Sequence, residues 1–229
     1  MYCDIHCHLD KLSLREIEDA INKKIIIGAV SMNLESCKKI LKLKEKYPEN
    51  IKVFLGIHPE YENYFHEVDK VIELIEENID KISGVGEIGI PFFYLEEMSE
   101  IKKKEIKNVG TKLFEKFLKV ASRHKFPVNT HVVGKDIHLA IPLLRKYNIV
   151  GALFHWYDGS LEDLNSLILE GHFISISPEV LINKTYLEFV KKIPLDRILL
   201  ESDGPWEYAG KPGTPQMIFD ISHLLAPFH

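Results

Sequence analysis

The chain has little cysteine, no apolar run of membrane length and no excess of positive charge. Its three cysteines, Cys3, Cys7 and Cys37, are odd in number and poorly spaced for a disulfide framework. That excludes the small, disulfide-stapled secreted class. Cys3 and Cys7 would share one face of an extended first segment, opposite His6 and His8. All three thiols are read as small buried hydrophobes rather than metal ligands. No stretch approaches the ~18 apolar residues that a membrane-spanning helix needs. The first strand begins at Met1, which leaves no room for a leader, so the expected compartment is reducing and cytoplasmic. Twenty-nine basic residues face 34 acidic ones, a net charge of -5. This lacks the basic balance of a protein that coats nucleic acid. A polyanionic substrate stays possible, because cations bound in a cleft reverse its local sign. No glycine-rich phosphate loop follows the first strand, which weighs against a dinucleotide-binding sheet. Repeats, low-complexity segments and linkers are also missing. The Lys102–Lys104 run is read as a solvated helix face, and no obligate protein partner is evident.

What is present is a regular alternation. The 229 residues are 45% hydrophobic and 28% charged, ordinary for a globular protein with a large core. Short apolar runs predict strands at Tyr2–His8, Ile25–Ser31, Lys52–Ile57, Ile82–Glu87, Pro127–Val132, Val150–His155, Phe173–Ser177 and Ile198–Asp203. Helical periodicity fills the gaps: Ser13–Asn22, Leu34–Lys46, His66–Asn78, Ile101–Arg123, Asp136–Tyr147, Ser160–Glu170, Lys184–Lys192 and Pro215–Leu225. Ser13-Leu14-Arg15-Glu16 carries the capping-box signature of a helix start. Eight strand–helix units in order predict an α/β fold with parallel strands, a TIM-like (β/α)8 barrel formed by residues 1–229 as a single domain. A doubly wound open sheet is the alternative.

In such a barrel the chemistry belongs at the C-terminal ends of the strands. His6 and His8 end strand one, side by side on one face, about 7 Å apart at the backbone. His58 follows strand three, Glu87 ends strand four, His131 strand five, His155 strand six and Asp203 strand eight. Any one of them is readily structural: a hydrogen-bonded histidine, a helix cap, a turn former before Gly204-Pro205. Their joint occurrence at matching strand ends predicts a metal site. Imidazole mixed with carboxylate suits zinc, iron, manganese or nickel better than magnesium or calcium. With Glu87 bridging, His6 and His8 could hold one divalent ion, and His131 and His155 a second. Asp203 could bind an ion and also accept a proton from water. Two ions about 3.5–4 Å apart suit in-line displacement at phosphorus. Glu201, one layer deeper on the face of Asp203, could orient a ligand from behind. His66, His124, His138, His172, His223 and His229 are read as surface or structural.

The motifs His6-Cys7-His8-Leu9-Asp10, Gly56-Ile57-His58-Pro59, Gly86-Glu87-Ile88-Gly89, Pro127-Val128 leading to His131, His155 followed by Gly159, and Glu201-Ser202-Asp203-Gly204-Pro205 resemble the TatD family of metal-dependent deoxyribonucleases, within the amidohydrolase superfamily. The resemblance runs from residue 2 to about 215. It implies a barrel with one or two divalent ions (zinc, magnesium or manganese) held by His6, His8, Glu87, His131, His155 and Asp203. It places His58 near the bound phosphate or water. The activity it implies is metal-dependent DNA hydrolysis, often exonucleolytic, with Asp203 and Glu87 in the chemistry and DNA or a nucleotide as substrate.

Three positions depart from the resemblance. Pro91 stands where an acid often follows the Gly-Glu-Ile-Gly motif. Val133 stands where an arginine often follows the strand-five histidine. Lys211-Pro212-Gly213 replaces the usual segment after strand eight. The expected metal residues are complete while the phosphate-reading residues are altered. Hydrolysis of a small ester, lactone or amide is therefore the alternative function, and a non-enzymatic metal-binding or partner-binding module a third. Lys135 and Lys211 either replace the missing charge or are ordinary surface lysines. Trp156 and Tyr157 either stack a base at the mouth or pack in the core.

Overall fold

The computed structural model describes residues 2–60 and 62–228. Met1 and His229 therefore lie outside the described residues. Eight strands pair in parallel and in chain order: β1 (Tyr2–Cys7), β2 (Ile25–Val30), β3 (Ile51–Leu55), β4 (Gly84–Gly89), β5 (Val128–His131), β6 (Leu153–Phe154), β7 (Phe173–Ile176) and β8 (Ile198–Leu200). The seam between the first and last strands is closed just above β8. There Asp203 N–H donates to the His6 carbonyl (3.0 Å) and His8 N–H to the Gly204 carbonyl (2.9 Å). This is the predicted TIM-like barrel.

Helices α1 (Leu14–Asn22), α2 (Leu34–Lys46), α3 (Val68–Glu77), α4 (Glu100–His124), α5 (Ile137–Lys146), α6 (Leu161–Leu169), α7 (Lys184–Val190) and α8 (Met217–Leu225) alternate with the strands. Their starts follow local chemistry. The side chains of Ser13 and Glu16 each accept the other's backbone N–H as the sequence predicts, and Asn33 and Ser36 do the same at α2. β2, Ile25-Ile26-Ile27-Gly28-Ala29-Val30, is buried along almost its whole length, as a parallel strand covered on both faces must be. A small antiparallel hairpin, β9 (Glu207–Tyr208) with β10 (Lys211–Pro212), follows β8 and was not foreseen.

Several expected boundaries shift. β4 lies two residues later than expected, so Glu87 sits inside the strand and not at its end. Glycine-rich Gly84-Val85-Gly86-Glu87-Ile88-Gly89 reads poorly as a strand. Its glycines answer a close approach instead: a Cβ on Gly89 would fall 1.7 Å from the His131 carbonyl oxygen. A Cβ on Gly56 would likewise fall 2.5 Å from the Glu87 carbonyl oxygen. β6 begins at Leu153, leaving Val150 in the exposed preceding loop. β1 stops at Cys7 and β8 at Leu200, so His8 and Asp203 stand just beyond their ladders. Cys7 and Cys37 are buried as expected, but Cys3 is exposed near the start of β1. The pairing of β1 with β2 slips by one residue between Asp4 and Cys7, while Asp4 and His6 stay buried and Cys3 sits at the exposed start of the strand.

Candidate metal centre

The strand ends bring His6, His8, His58, Glu87, His131, His155 and Asp203 to one mouth. All of them except His6 line a cavity of about 600 Å³. His6 is fully buried directly beneath it. Four atoms form a first cluster. His6 Nε2 stands 3.5 Å from both Glu87 Oε2 and Asp203 Oδ1, and His8 Nε2 stands 3.4 Å from the same two oxygens. Donors held around a tetrahedral ion at about 2.0–2.2 Å stand about 3.3–3.6 Å apart. The four measured separations match that spacing and are too long for good hydrogen bonds.

The layer beneath fixes the direction of His6. Asn129 donates through Nδ2 to the Ile5 carbonyl (3.2 Å), which turns its Oδ1 toward His6 Nδ1 at 2.8 Å. Nδ1 therefore carries the proton, and the Nε2 lone pair faces two carboxylate oxygens. Neither His6 Nε2 nor Glu87 Oε2 has a hydrogen-bond partner, although both are buried. Such atoms each cost about 1–3 kcal/mol unless something positive satisfies them. A divalent cation fits this donor set.

A second cluster forms on the other oxygen of the same carboxylate. Glu87 Oε1 is 2.9 Å from His131 Nδ1, 3.0 Å from His155 Nε2 and 3.5 Å from His58 Nε2. Here His131 Nδ1 and His155 Nε2 also approach each other to 2.9 Å. The ligand-competent groups are His6, His8 and Asp203; His6, Glu87 and His155; and His58, Glu87 and His131. His58, expected near the substrate, joins the third of these groups with its Nε2 toward Glu87 Oε1.

The electrostatics of the two clusters differ. Burial pulls His8 down to about 3, despite the pull of Glu87 in the other direction. It likewise holds His58 well below its ordinary value. For His131, burial is outweighed by the neighbouring carboxylates of Glu60 and Glu87, which lift it to about 9. For His155, burial is outweighed by the charges of Glu87 and Glu201, which lift it to about 10. Glu87, although buried, is held well below the usual carboxylate range by the surrounding imidazoles. Burial raises Asp203 to about 6, against the pull of His6 and His155.

Four supporting residues complete the site, and only Glu201 was expected. Its Oε2 accepts the Ser175 hydroxyl (2.6 Å) and its Oε1 the Trp156 N–H (2.9 Å), with His155 Nδ1 at 3.7 Å. Asp4 accepts the Ser202 hydroxyl (2.6 Å) and N–H (2.9 Å), tying β1 to the segment that presents Asp203. Strand alternation could have found Asp4 and Asn129, which lie two residues before His6 and His131. Glu60 had no such signal. It follows His58-Pro59 in a loop and reads as a surface acid, yet its Oε1 lies 3.4 Å from His131 Nε2. Pro91 packs against α4, where a Cβ on Gly110 would meet its ring at 2.3 Å. Glu60 is thus the acid that borders this part of the mouth. Asp203 and Trp156 both adopt positive φ (47° and 39°), a strained backbone that concentrates at functional positions.

Val133 lies on the cavity wall, and the lysine there is Lys11. Lys135 and Lys211 are exposed and outside that lining. Tyr157 is buried, stacked on Phe189 at 5.8 Å, and donates its hydroxyl to the Ser160 carbonyl, so it is core. Trp156 lines the mouth. Among the described histidines away from the mouth, His66, His138 and His223 are exposed. His124 meets Glu76 at 2.7 Å, and buried His172 accepts the Ala152 N–H, both structural roles.

Residues 3–228 match the model of the family described as TatD related DNase. The chain belongs to that family. It is 32% identical to an uncharacterized metal-dependent hydrolase of Haemophilus influenzae, over 99% of this chain and 90% of the relative. It is 27% identical to human deoxyribonuclease TATDN3, over 88% and 77% of the two chains. The crystal structure of the TatD homolog YJJV from Escherichia coli superposes with a TM-score of 0.73 at 22% identity, covering 99% and 90%. Membership carries the coarse function, metal-dependent hydrolysis. Among the described residues no helix is long and apolar enough to cross a membrane.

Proposed function

We propose that this TatD-family protein is a phosphodiesterase acting on DNA or a nucleotide, with water attacking phosphorus. The observation that carries the reading is the divided carboxylate. Glu87 turns one oxygen to His6 and His8 and the other to His58, His131 and His155. We assign His6, His8, Glu87, His131, His155 and Asp203 as the residues that hold one or two divalent ions. Such ions supply Lewis acidity and water activation at neutral pH, and a pair suits in-line phosphoryl displacement. The human relative named a deoxyribonuclease adds support.

The chain's own groups then divide the work. Asp203, raised to about 6 by burial, is poised to take the proton of the attacking water. Asn129 holds His6 in a fixed orientation, and the Glu201 carboxylate faces His155 Nδ1 at 3.7 Å. His58 accepts the Glu60 N–H at Nδ1 (3.1 Å), so its proton sits on Nε2, where it can donate to a substrate oxygen. We place the protein in a reducing, cytoplasmic compartment, in keeping with its three free thiols.

A second reading, hydrolysis of a small ester, lactone or amide, is favoured by the cavity wall. Glu60, Glu87, Asp158 and Asp203 face Lys11 there, with Val133 beside them. The test is a parallel assay of the metal-loaded protein on single-stranded DNA, p-nitrophenyl esters and lactones. Release of mononucleotides, lowered at least ~10²-fold in Asp203→Asn, is the expected result. Turnover of esters or lactones alone would overturn the phosphodiesterase reading.

A further inference from the structure

The mouth is poor in positive charge. Phe93, Val133, Trp206 and four carboxylates share its wall with Lys11, the one lysine there among the described residues. The charge gathers instead on helix α4. That helix holds eight of the 29 basic residues and three of the 34 acidic ones, a net +5 in a chain of net -5. Its apolar face, with Ile106, Phe114, Phe117 and Leu118, is buried, which leaves the basic side chains on the outer face. Some of them brace neighbouring elements. Lys107 grips Asp136 (2.6 Å), Lys116 pairs with Asp69 (2.7 Å) and Arg123 with Glu76. Lys102, Lys104, Lys112 and Lys119 are exposed and, among the described residues, have no ion-pair partner. Two of the three acids of the helix are engaged, Glu100 by Lys103 and Glu115 by Lys146, which leaves Glu105. Lys112, Lys116, Lys119 and Arg123 follow one another at steps of four, three and four residues. Like charges at those steps destabilise a helix, and an anion lying along the run reverses that cost.

The charge also has a direction. α4 follows β4, so it starts on the side of the mouth and runs away from it. Val133 stands on the cavity wall, and two residues later Lys135 is exposed just outside the lining. The next residue, Asp136, is the one held by Lys107, which fixes α4 beside the rim. Lys104 lies about one turn before Lys107, while Lys112 and Lys119 lie farther along. From Lys104 to Lys119 the helix rises about 22 Å. Lys135, Lys104, Lys112 and Lys119 thus make a line of cations from the rim across the outside of the barrel. We propose that the outer face of α4, entered at Lys135, is a docking track for the sugar–phosphate backbone of a nucleic-acid strand whose end occupies the mouth. The track lies outside the cavity and apart from every metal-binding group. It rests on the phosphodiesterase reading and narrows its substrate from a free nucleotide to a strand several nucleotides long. A wall of carboxylates cannot neutralise a run of phosphates, whereas lysines outside it can, with release of counterions from the strand.

The probes are a single strand of 12 deoxynucleotides and the p-nitrophenyl ester of thymidine 5′-phosphate, which reaches the mouth alone. With the metal-loaded protein at low salt, the strand is expected to bind at least ~10-fold more tightly than the ester, and this advantage should fall as salt is added. The triple variant Lys104→Gln/Lys112→Gln/Lys119→Gln should cut the advantage ~10-fold and flatten the slope of log affinity against log salt by about 2. Replacing the same three residues by arginine should keep both. Lys38→Gln/Lys42→Gln, at exposed positions on α2, should keep both as well. An advantage and a salt slope unchanged in the triple variant, or an equal loss in the α2 variant, would overturn the track while leaving phosphodiester hydrolysis standing. Loss of binding to phosphatidylserine vesicles in the triple variant, with strand binding kept, would assign the face to a membrane and overturn the track too. Absence of all phosphodiester cleavage, with strand binding that still depends on the three lysines, would instead remove the phosphodiesterase reading and keep the track.

Discussion

The two halves of the mouth share one carboxylate and differ in nearly everything else. On the β1/β8 side, His6 and His8 face Glu87 and Asp203 across gaps of 3.4–3.5 Å, and His8 is driven toward its neutral form. On the β5/β6 side, His131, His155 and Glu87 are drawn to 2.9–3.0 Å, and the two histidines hold their protons well above neutrality. The first half is spaced for a cation. The second has a network of proton-sharing contacts that a cation must break. The residues behind the rings differ as well. Asn129 supplies a neutral amide behind His6, whereas the carboxylates Glu60 and Glu201 stand beside His131 and His155. Nearby carboxylates invite a proton onto a ring, and His6 is raised too, burial and His155 being outweighed by Glu87 and Asp203.

The largest effect should come from the group the halves share. Glu87→Ala should strip both clusters of an oxygen and lower phosphodiester turnover by ~10³-fold or more, with metal content falling at both positions. Metal analysis alongside kinetics checks this, and loss of only one ion would break the symmetry assigned to Glu87. A smaller, one-sided effect is expected from Asn129→Ala, which frees the His6 ring to turn. Affinity for the first ion should fall ~10–100-fold while the second is spared, as read by calorimetric titration.

The contrast in protonation gives the next prediction. A histidine titrating near 9 or 10 is protonated at pH 7 and must lose that proton to bind metal. Binding in the second half should therefore release protons, and its affinity should rise about tenfold per pH unit for each proton displaced until those values are passed. Binding in the first half, where His8 is neutral and only His6 is raised, should release fewer protons over the same range. Titrations in buffers of different ionisation enthalpy measure the proton count directly. Equal proton release at both positions would erase the distinction.

The barrel was legible because its signals are local. Apolar runs such as Ile25–Val30 and the Ser13/Glu16 cap act within a few residues, and alternating units leave few topologies. Where they failed, distant contacts had taken over. The glycines of β4 serve the approach of β5, not strand propensity, and the boundary moved by two residues. The mouth was legible where its residues sit at strand ends. Glu60, Phe93 and Trp206 arrive on turns whose course depends on what they pack against, so no periodicity announced them. Asp4 and Asn129 were within reach of the alternation already applied to His6 and His8.

The central claim is that one carboxylate organises two unequal cation positions. A crystal of the metal-loaded protein, measured by anomalous scattering at the metal edge, tests it most directly. An ion within about 2.0–2.3 Å of His6 Nε2, His8 Nε2, Glu87 Oε2 and Asp203 Oδ1 is the predicted result, with any second ion on Glu87 Oε1. An ion that leaves Glu87 uncoordinated, or none between β1 and β4, would contradict it.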